Sequence, residues 1–249
     1  MHLRYRFIVT LALCCSLFAG IAAAQKPAVA PESIGQVTEV KPIKLGIPMT
    51  PSVACRLGET GSPAWFIDYF LPPDDSYLTL IDPTTCFNCN PQNMMLTTAH
   101  VLLNYRIPCS MDVTVSIVGA VNVGGGCYEP NVDQLICAPI DYTLSAPAAG
   151  NWDFSLALPA GCCINQPAFL KVTVNSLGTC PDLATTRPRL ITTATCIGCE
   201  SWNIYPPAFV DELCSVGFPG NPIMNVDAFC CQVTPTQKGT WGSVKKFYR

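Results

Sequence analysis

The chain has 249 residues, with 14 lysines and arginines against 17 aspartates and glutamates and a formal net charge of −3. This mildly acidic balance, without basic clusters, disfavours nucleic-acid binding, because neutralisation of phosphates supplies most of that affinity. Hydrophobic residues make up 49% of the sequence, which excludes a disordered chain. Charged residues make up only 12%, below the roughly 25% of an ordinary soluble domain.

Residues 1–24 have the pattern of a secretory signal peptide. Arg4 and Arg6 precede an apolar run over residues 7–19, and small residues follow before Gln25. No later stretch is long and apolar enough to cross a bilayer, so we expect no transmembrane segment after signal removal. Loss of the two arginines would change the net charge from −3 to −5. The prediction is a secreted or cell-surface protein.

Residues 25–54 form the next predicted segment. They contain five prolines and no cysteine or aromatic residue. Proline-rich chain of this kind adopts extended conformations and does not build a core. We predict an extended N-terminal arm.

The cysteines define the folded body, predicted over residues 55–232. Two of the 16 cysteines lie in the signal peptide, and an even number remains. An even count in an exported chain predicts disulfide bonds, up to seven of them, although the sequence does not reveal their pairing. The predicted disulfide cysteines are Cys55, Cys86, Cys89, Cys109, Cys127, Cys137, Cys162, Cys163, Cys180, Cys196, Cys199, Cys214, Cys230 and Cys231.

Two Cys-x-x-Cys pairs raise the alternative of a metal or redox site. Cys86 with Cys89 and Cys196 with Cys199 could supply four thiolates to a zinc ion. The two pairs lie too far apart in the sequence for a compact zinc ribbon, and neither follows the βαβ pattern of thioredoxin-like enzymes. We therefore predict structural cross-links and no metal ligands among the cysteines.

Short β-like runs separated by proline and glycine fill the body. The clearest alternates strictly, with Val113, Val115 and Ile117 on one face. Roughly eight or nine such runs, with turn signals between them, are typical of all-β proteins. We predict a single antiparallel β-sandwich, jelly-roll-like or Ig-like, rich in disulfides.

Two segments resemble trypsin-like serine proteases. The stretch ending in His100 resembles the one that carries their catalytic histidine, and the stretch that begins with Asp153 resembles the one that carries their aspartate. The resemblance implies a serine nucleophile in a third segment. The nearest counterpart, residues 217–222, has Pro219 at that position, and proline has no hydroxyl. We therefore reject the protease interpretation and predict no catalytic residue.

Two groups of residues are candidates for ligand binding. Trp152, Trp202 and Tyr205 could form an aromatic platform for a sugar, although aromatic residues in β proteins usually fill the core. Carboxylates near the ends of one predicted strand could hold Ca²⁺, and solvated turn residues are the alternative explanation. The calcium candidates are Asp74, Asp75 and Asp82.

Residues 233–249 form a predicted flexible tail with a short basic amphipathic segment. Its ending, Trp-Gly-x-Val-Lys-x-Phe-Tyr-Arg, follows a disulfide-rich β body. In this combination the chain resembles uncharacterised exported proteins of environmental bacteria, some of them assigned to the cell surface. The resemblance implies a bacterial origin and no particular activity. The tail is either an inert terminus or a docking or sorting signal.

These observations favour a noncatalytic, exported β-sandwich. We expect it to bind an extracellular glycan or protein, or to serve as a structural part of the cell envelope or extracellular matrix, with no cofactor other than the calcium considered above. In the structural role, the proline-rich arm would pair with the open sheet edge of a neighbouring copy. The alternative is a secreted hydrolase that uses unrecognised carboxylates or the His100 and Asp153 pair.

Overall fold

The structure, a computed structural model, describes residues 55–68, 71–86, 89, 93–183, 185–206 and 209–231. These residues belong to one compact unit. The predicted signal peptide, extended arm and tail lie outside the described residues.

Antiparallel strands are the main secondary structure of the described chain. A 3-10 turn at Pro83–Thr85 interrupts the strands, and its first amide, on Thr84, donates to the Asp82 carboxylate. No helix among the described residues is long and apolar enough to span a membrane. The strands are β1 (Cys55–Gly58), β2 (Trp65–Ile67), β3 (Ser76–Ile81), β4 (Met94–Tyr105), β5 (Cys109–Gly124), β6 (Cys127–Ala146), β7 (Gly150–Ala157), β8 (Cys163–Ile164), β9 (Ala168–Ser176), β10 (Arg189–Thr192), β11 (Ser201–Tyr205), β12 (Phe209–Glu212) and β13 (Met224–Cys230).

The strands form two antiparallel sheets, which we call the first and the second sheet. The first has the order β1-β13-β4-β10-β2, with β7 and β8 also paired to β4. The second has the order β12-β11-β3-β9-β5-β6. The prediction of a disulfide-rich antiparallel β-sandwich is confirmed.

The inner faces of the two sheets enclose the main core. Val113, Val115 and Ile117 are almost completely buried, as their alternation predicted. Val101 and Leu103 of β4 line the same interior space as Val113 of β5, which lies in the other sheet. Burial of each such side chain contributes about 1.5–3 kcal/mol relative to exposure, so this interface is a large part of the driving force for folding.

The β5–β6 hairpin covers part of the outer face of the second sheet. Irregular register between Val115 and Gly119 bends its long strands, as β-bulges do. Beyond the bend, Cys127 and Tyr128 pack against a cluster that includes Trp202. The Cys127–Cys199 disulfide fastens the end of the hairpin there. The hairpin therefore removes Trp202 from solvent.

Six disulfides cross-link the sandwich and indicate an oxidising environment such as the extracellular space. Cys163 and Cys231 are the two predicted disulfide cysteines that are not bonded, although their sulfur atoms lie 2.7 Å apart. The six bonds are Cys55–Cys86, Cys89–Cys230, Cys109–Cys180, Cys127–Cys199, Cys137–Cys162 and Cys196–Cys214.

Candidate functional site

The candidate site lies on the outer face of the first sheet, around His100 of β4. Ser155 of β7 and Asn225 of β13 stand directly opposite His100 on the two neighbouring strands. Asp153 and Asp227 lie two residues further along the same strands, within diagonal reach of the ring. Because side chains alternate along a strand, these polar groups share one face while their apolar neighbours point into the core.

A β-bulge beside Asp227 changes which residues of β4 belong to this polar face. Asp227 pairs with Thr98, whereas the next residue, Ala228, pairs with Leu96, so Thr97 is an extra residue in β4. Two consecutive residues, Thr97 and Thr98, are therefore only partly buried between buried positions on either side. The bulge lets the apolar residues before and after it both face the core.

Both ring nitrogens of His100 lie against a carboxylate. Nδ1 is 3.4 Å from Oδ1 of Asp153 and 3.3 Å from the hydroxyl of Ser155. Nε2 is 3.1 Å from Oδ2 of Asp227. The other oxygen of Asp227 accepts a hydrogen bond of 2.8 Å from Nε of Arg56. The four charged groups thus form one ionic network across β7, β4, β13 and β1.

The network favours the protonated form of His100. Burial by itself would lower the pKa of this imidazole, but its hydrogen bonds with Asp153 and Asp227 and their negative charges outweigh burial, so the pKa is raised. In the protonated state each ring nitrogen donates to one carboxylate, and the charges of Arg56 and His100 balance those of the two aspartates.

A cavity of about 110 Å³ opens beside this network. Asn225 is only 6% exposed, and its Nδ2 donates to the backbone oxygen of Glu59 at 2.9 Å. Its Oδ1 is buried and has no hydrogen-bond partner in the described structure. A buried acceptor without a partner costs about 1–3 kcal/mol, which a bound ligand or water would recover. The cavity is lined by Arg56, Thr60, His100, Leu102, Asp153, Ile223 and Asn225.

An apolar cluster supports one wall of the cavity. Leu102 and Ile223 pack with Phe66 and Ile191 on the same outer face of the sheet. The guanidinium carbon of Arg189 lies 4.1 Å from the centroid of the Phe66 ring and covers that end of the cluster. The wall is rigid because each of its side chains is fixed by packing.

The predicted aromatic platform is not assembled. Trp202 is 7% exposed beneath the β5–β6 hairpin, so a sugar cannot stack on it in this structure. Trp152 lies in the first sheet and Tyr205 in the second. The Trp152 indole donates to the backbone of Ala148, and the Tyr205 hydroxyl donates to Asp211. These three residues therefore do not form a common surface.

The predicted calcium residues differ in their surroundings. Asp82 caps the 3-10 turn, and Asp75 is buried while its neighbour Asp74 is exposed. Within the described part of the chain, no group of three or more histidine, cysteine or acidic side chains is arranged to hold a metal ion. Calcium binding at Asp74, Asp75 and Asp82 stays a prediction.

Sequence reasoning identified two members of the site and missed the others. The side chains of His100 and Asp153 are in contact, and these are the histidine and aspartate that the protease resemblance implies. Asp227, Asn225 and Arg56 were not predicted. The alternation of polar with apolar residues along β13 marks an outward polar face, but it does not say which strand lies beside it.

Comparison of the chain with protein-family models, with curated proteins and with solved structures finds no match.

Proposed function

We propose that the protein is a noncatalytic, exported carbohydrate-binding module whose ligand enters the cavity beside His100. The observation that carries the proposal is that Asn225 lines that cavity and has a buried side-chain oxygen without a hydrogen-bond partner in the described structure. The signal-like N-terminal sequence and the six disulfides support action outside the cytosol.

The donors and acceptors around the cavity suit a pair of sugar hydroxyls. Asn225 Oδ1 and the Asp153 carboxylate accept hydrogen bonds. Arg56 binds Asp227 through Nε, and the terminal nitrogens of its guanidinium carry further N–H donors. A sugar hydroxyl both donates and accepts, so two neighbouring hydroxyls match this mixed set.

The size and shape of the cavity agree with a sugar edge. A cavity of about 110 Å³ has room for several water molecules. That space accommodates two hydroxyls and their carbons, with the remainder of the glycan lying outside. Leu102 and Ile223 provide an apolar wall for the C–H groups of the ring. Contact through hydrogen bonds takes the place of the aromatic stacking predicted from the sequence.

The state of His100 supports binding over catalysis. A general base needs a ring nitrogen with an available lone pair. Both nitrogens of His100 lie against carboxylates, and the raised pKa extends the pH range over which the ring is fully protonated. The imidazolium therefore organises Asp153 and Asp227 as fixed acceptors.

We expect the full chain to bind at least one glycan on an array and the Asn225→Leu variant to bind it at least about tenfold more weakly, the loss for one hydrogen bond. Asn165→Leu, at an exposed asparagine away from the site, is the matched control and should bind normally. Titration calorimetry with the glycan found on the array measures both affinities.

The second cavity variant, Thr60→Val, lies in an exposed loop position and separates lost binding from lost folding. Weaker binding by both cavity variants would support the proposal. Glycan binding that neither variant changes would place the ligand elsewhere, and absence of binding across the array would overturn carbohydrate recognition.

A hydrolase is the second candidate, because one contact favours it. The hydroxyl of Ser155, an exposed residue, lies 3.3 Å from Nδ1 of His100, and Asp227 contacts the other ring nitrogen. The histidine therefore lies between a serine and an aspartate, as in a catalytic triad. A fluorophosphonate probe tests for an activated serine. We expect no labelling of the full chain. Labelling that Ser155→Ala abolishes would establish the hydrolase in place of the binding module.

A further inference from the structure

We infer that Cys163 and Cys231 form a surface thiol–disulfide couple that exchanges with small thiols and disulfides, separately from the six structural bonds. The inference does not depend on the carbohydrate site. It starts from the two cysteines that the described structure leaves unbonded.

The fold brings the two cysteines together at the beginning of β4. Cys163 lies in β8 and pairs with Met95 of β4. Cys231 follows β13, and its backbone N–H donates to the carbonyl of Asn93 at 2.8 Å. The two sulfur atoms, 68 residues apart in the sequence, lie 2.7 Å from each other. A disulfide bond is about 2.05 Å long, so closing this pair requires a movement of less than ~1 Å.

Neighbouring disulfides hold both backbones in place. Cys162 is bonded to Cys137, and Cys230 is bonded to Cys89. Cys162 immediately precedes β8 and Cys230 ends β13, so each bonded cysteine anchors the chain directly beside one member of the pair. Opening the Cys163–Cys231 bond would therefore leave the surrounding structure cross-linked and the two thiols in position to close again.

Exposure distinguishes this pair from the structural bonds. Cys163 is the one exposed cysteine in the described part of the chain, and Cys231 is half-buried. All twelve bonded cysteines are buried or half-buried. Because exchange requires an external sulfur to approach along the bond, access favours reaction at Cys163.

Reduction of the couple consumes two molecules of a small thiol. The thiolate of a small thiol such as glutathione attacks the Cys163 sulfur, the Cys163–Cys231 bond breaks, and Cys231 leaves as a thiolate that takes a proton from water. A second glutathione thiolate attacks the mixed disulfide and releases Cys163 as a thiol. The protein gains two electrons and two protons, and two glutathiones are oxidised to glutathione disulfide. The reverse reaction uses glutathione disulfide as oxidant.

The test equilibrates the full chain in glutathione buffers of graded redox potential, alkylates free thiols and locates them by mass spectrometry. We expect Cys163 and Cys231 to be labelled together. The concentration of reduced glutathione at which this happens should be at least about tenfold lower than the concentration that opens any other disulfide. In Cys231→Ser, glutathione should accumulate on Cys163. In the matched variant Cys163→Ser it should accumulate much less on the half-buried Cys231.

Two results would overturn the inference. One is an unchanged labelling of Cys163 and Cys231 from the most oxidising to the most reducing buffer. The other is opening of a second bond, such as the half-buried Cys127–Cys199, at the same potential.

Discussion

Replacing His100 with leucine should lower the free energy of unfolding by about 2–4 kcal/mol at slightly acidic pH. The substitution leaves Asp153 and Asp227 as largely buried carboxylates that have lost their shared imidazolium, and the cost of such an unpaired charge exceeds the value of the pair itself. Arg56 still balances Asp227, so the cost remains below that of two isolated charges. Urea denaturation of the disulfide-intact full chain measures the difference.

The pH dependence separates an ionic role of His100 from simple packing. The pKa of folded His100 is raised above its ordinary value of 6.5 because its bonds to the two aspartates outweigh burial. The stabilisation is therefore complete below 6.5 and disappears as the pH rises through the raised, folded-state pKa. We expect the stability curves of the wild type and His100→Leu to converge as the pH rises above 6.5 and through the raised, folded-state pKa of His100. Parallel curves would contradict the ionic network.

The Gly220→Ala substitution should destabilise the protein by about 3 kcal/mol or more. A Cβ atom built on Gly220 would overlap the backbone carbonyl of Thr193, and backbone cannot move aside as a flexible side chain can. The two segments are also held together by the hydrogen bond from the Thr193 N–H to the Asn221 carbonyl, at 3.0 Å. Relief of the overlap would therefore separate β10 from the segment that leads into β13.

Gly198→Ala is the matched control, because a Cβ there meets no atom within 4 Å. We expect this change to alter the free energy of unfolding by less than ~0.5 kcal/mol. Thermal and urea unfolding of the two oxidised variants, measured side by side, provide the comparison. Equal stability of Gly220→Ala and Gly198→Ala would show that the close approach between Gly220 and Thr193 is absent.

The fold class was predictable because it depends on local pattern. The alternation of Val113, Val115 and Ile117 requires only that one face of a strand be buried, and the structure buries all three. The even number of cysteines likewise predicted disulfides, since that inference depends on the compartment and the count. Neither signal requires knowledge of which strands are neighbours.

The candidate site was only partly predictable because it depends on register. His100 and Asp227 are 127 residues apart, and they meet because β13 pairs with β4 in one particular alignment with a bulge at Thr97. A shift of one residue would turn Asp227 into the core, and nothing local to either strand specifies that alignment.

The sequence by itself determined that this is a cysteine-rich β protein, through composition and period-two alternation. Tertiary structure decided which polar, aromatic and cysteine residues are available for binding or chemistry. It placed Trp202 beneath the β5–β6 hairpin, brought Asn225 to the wall of a cavity, and brought Cys163 to Cys231. The physical reason is that alternation identifies the two faces of a strand, whereas strand pairing and sheet packing decide what covers each face.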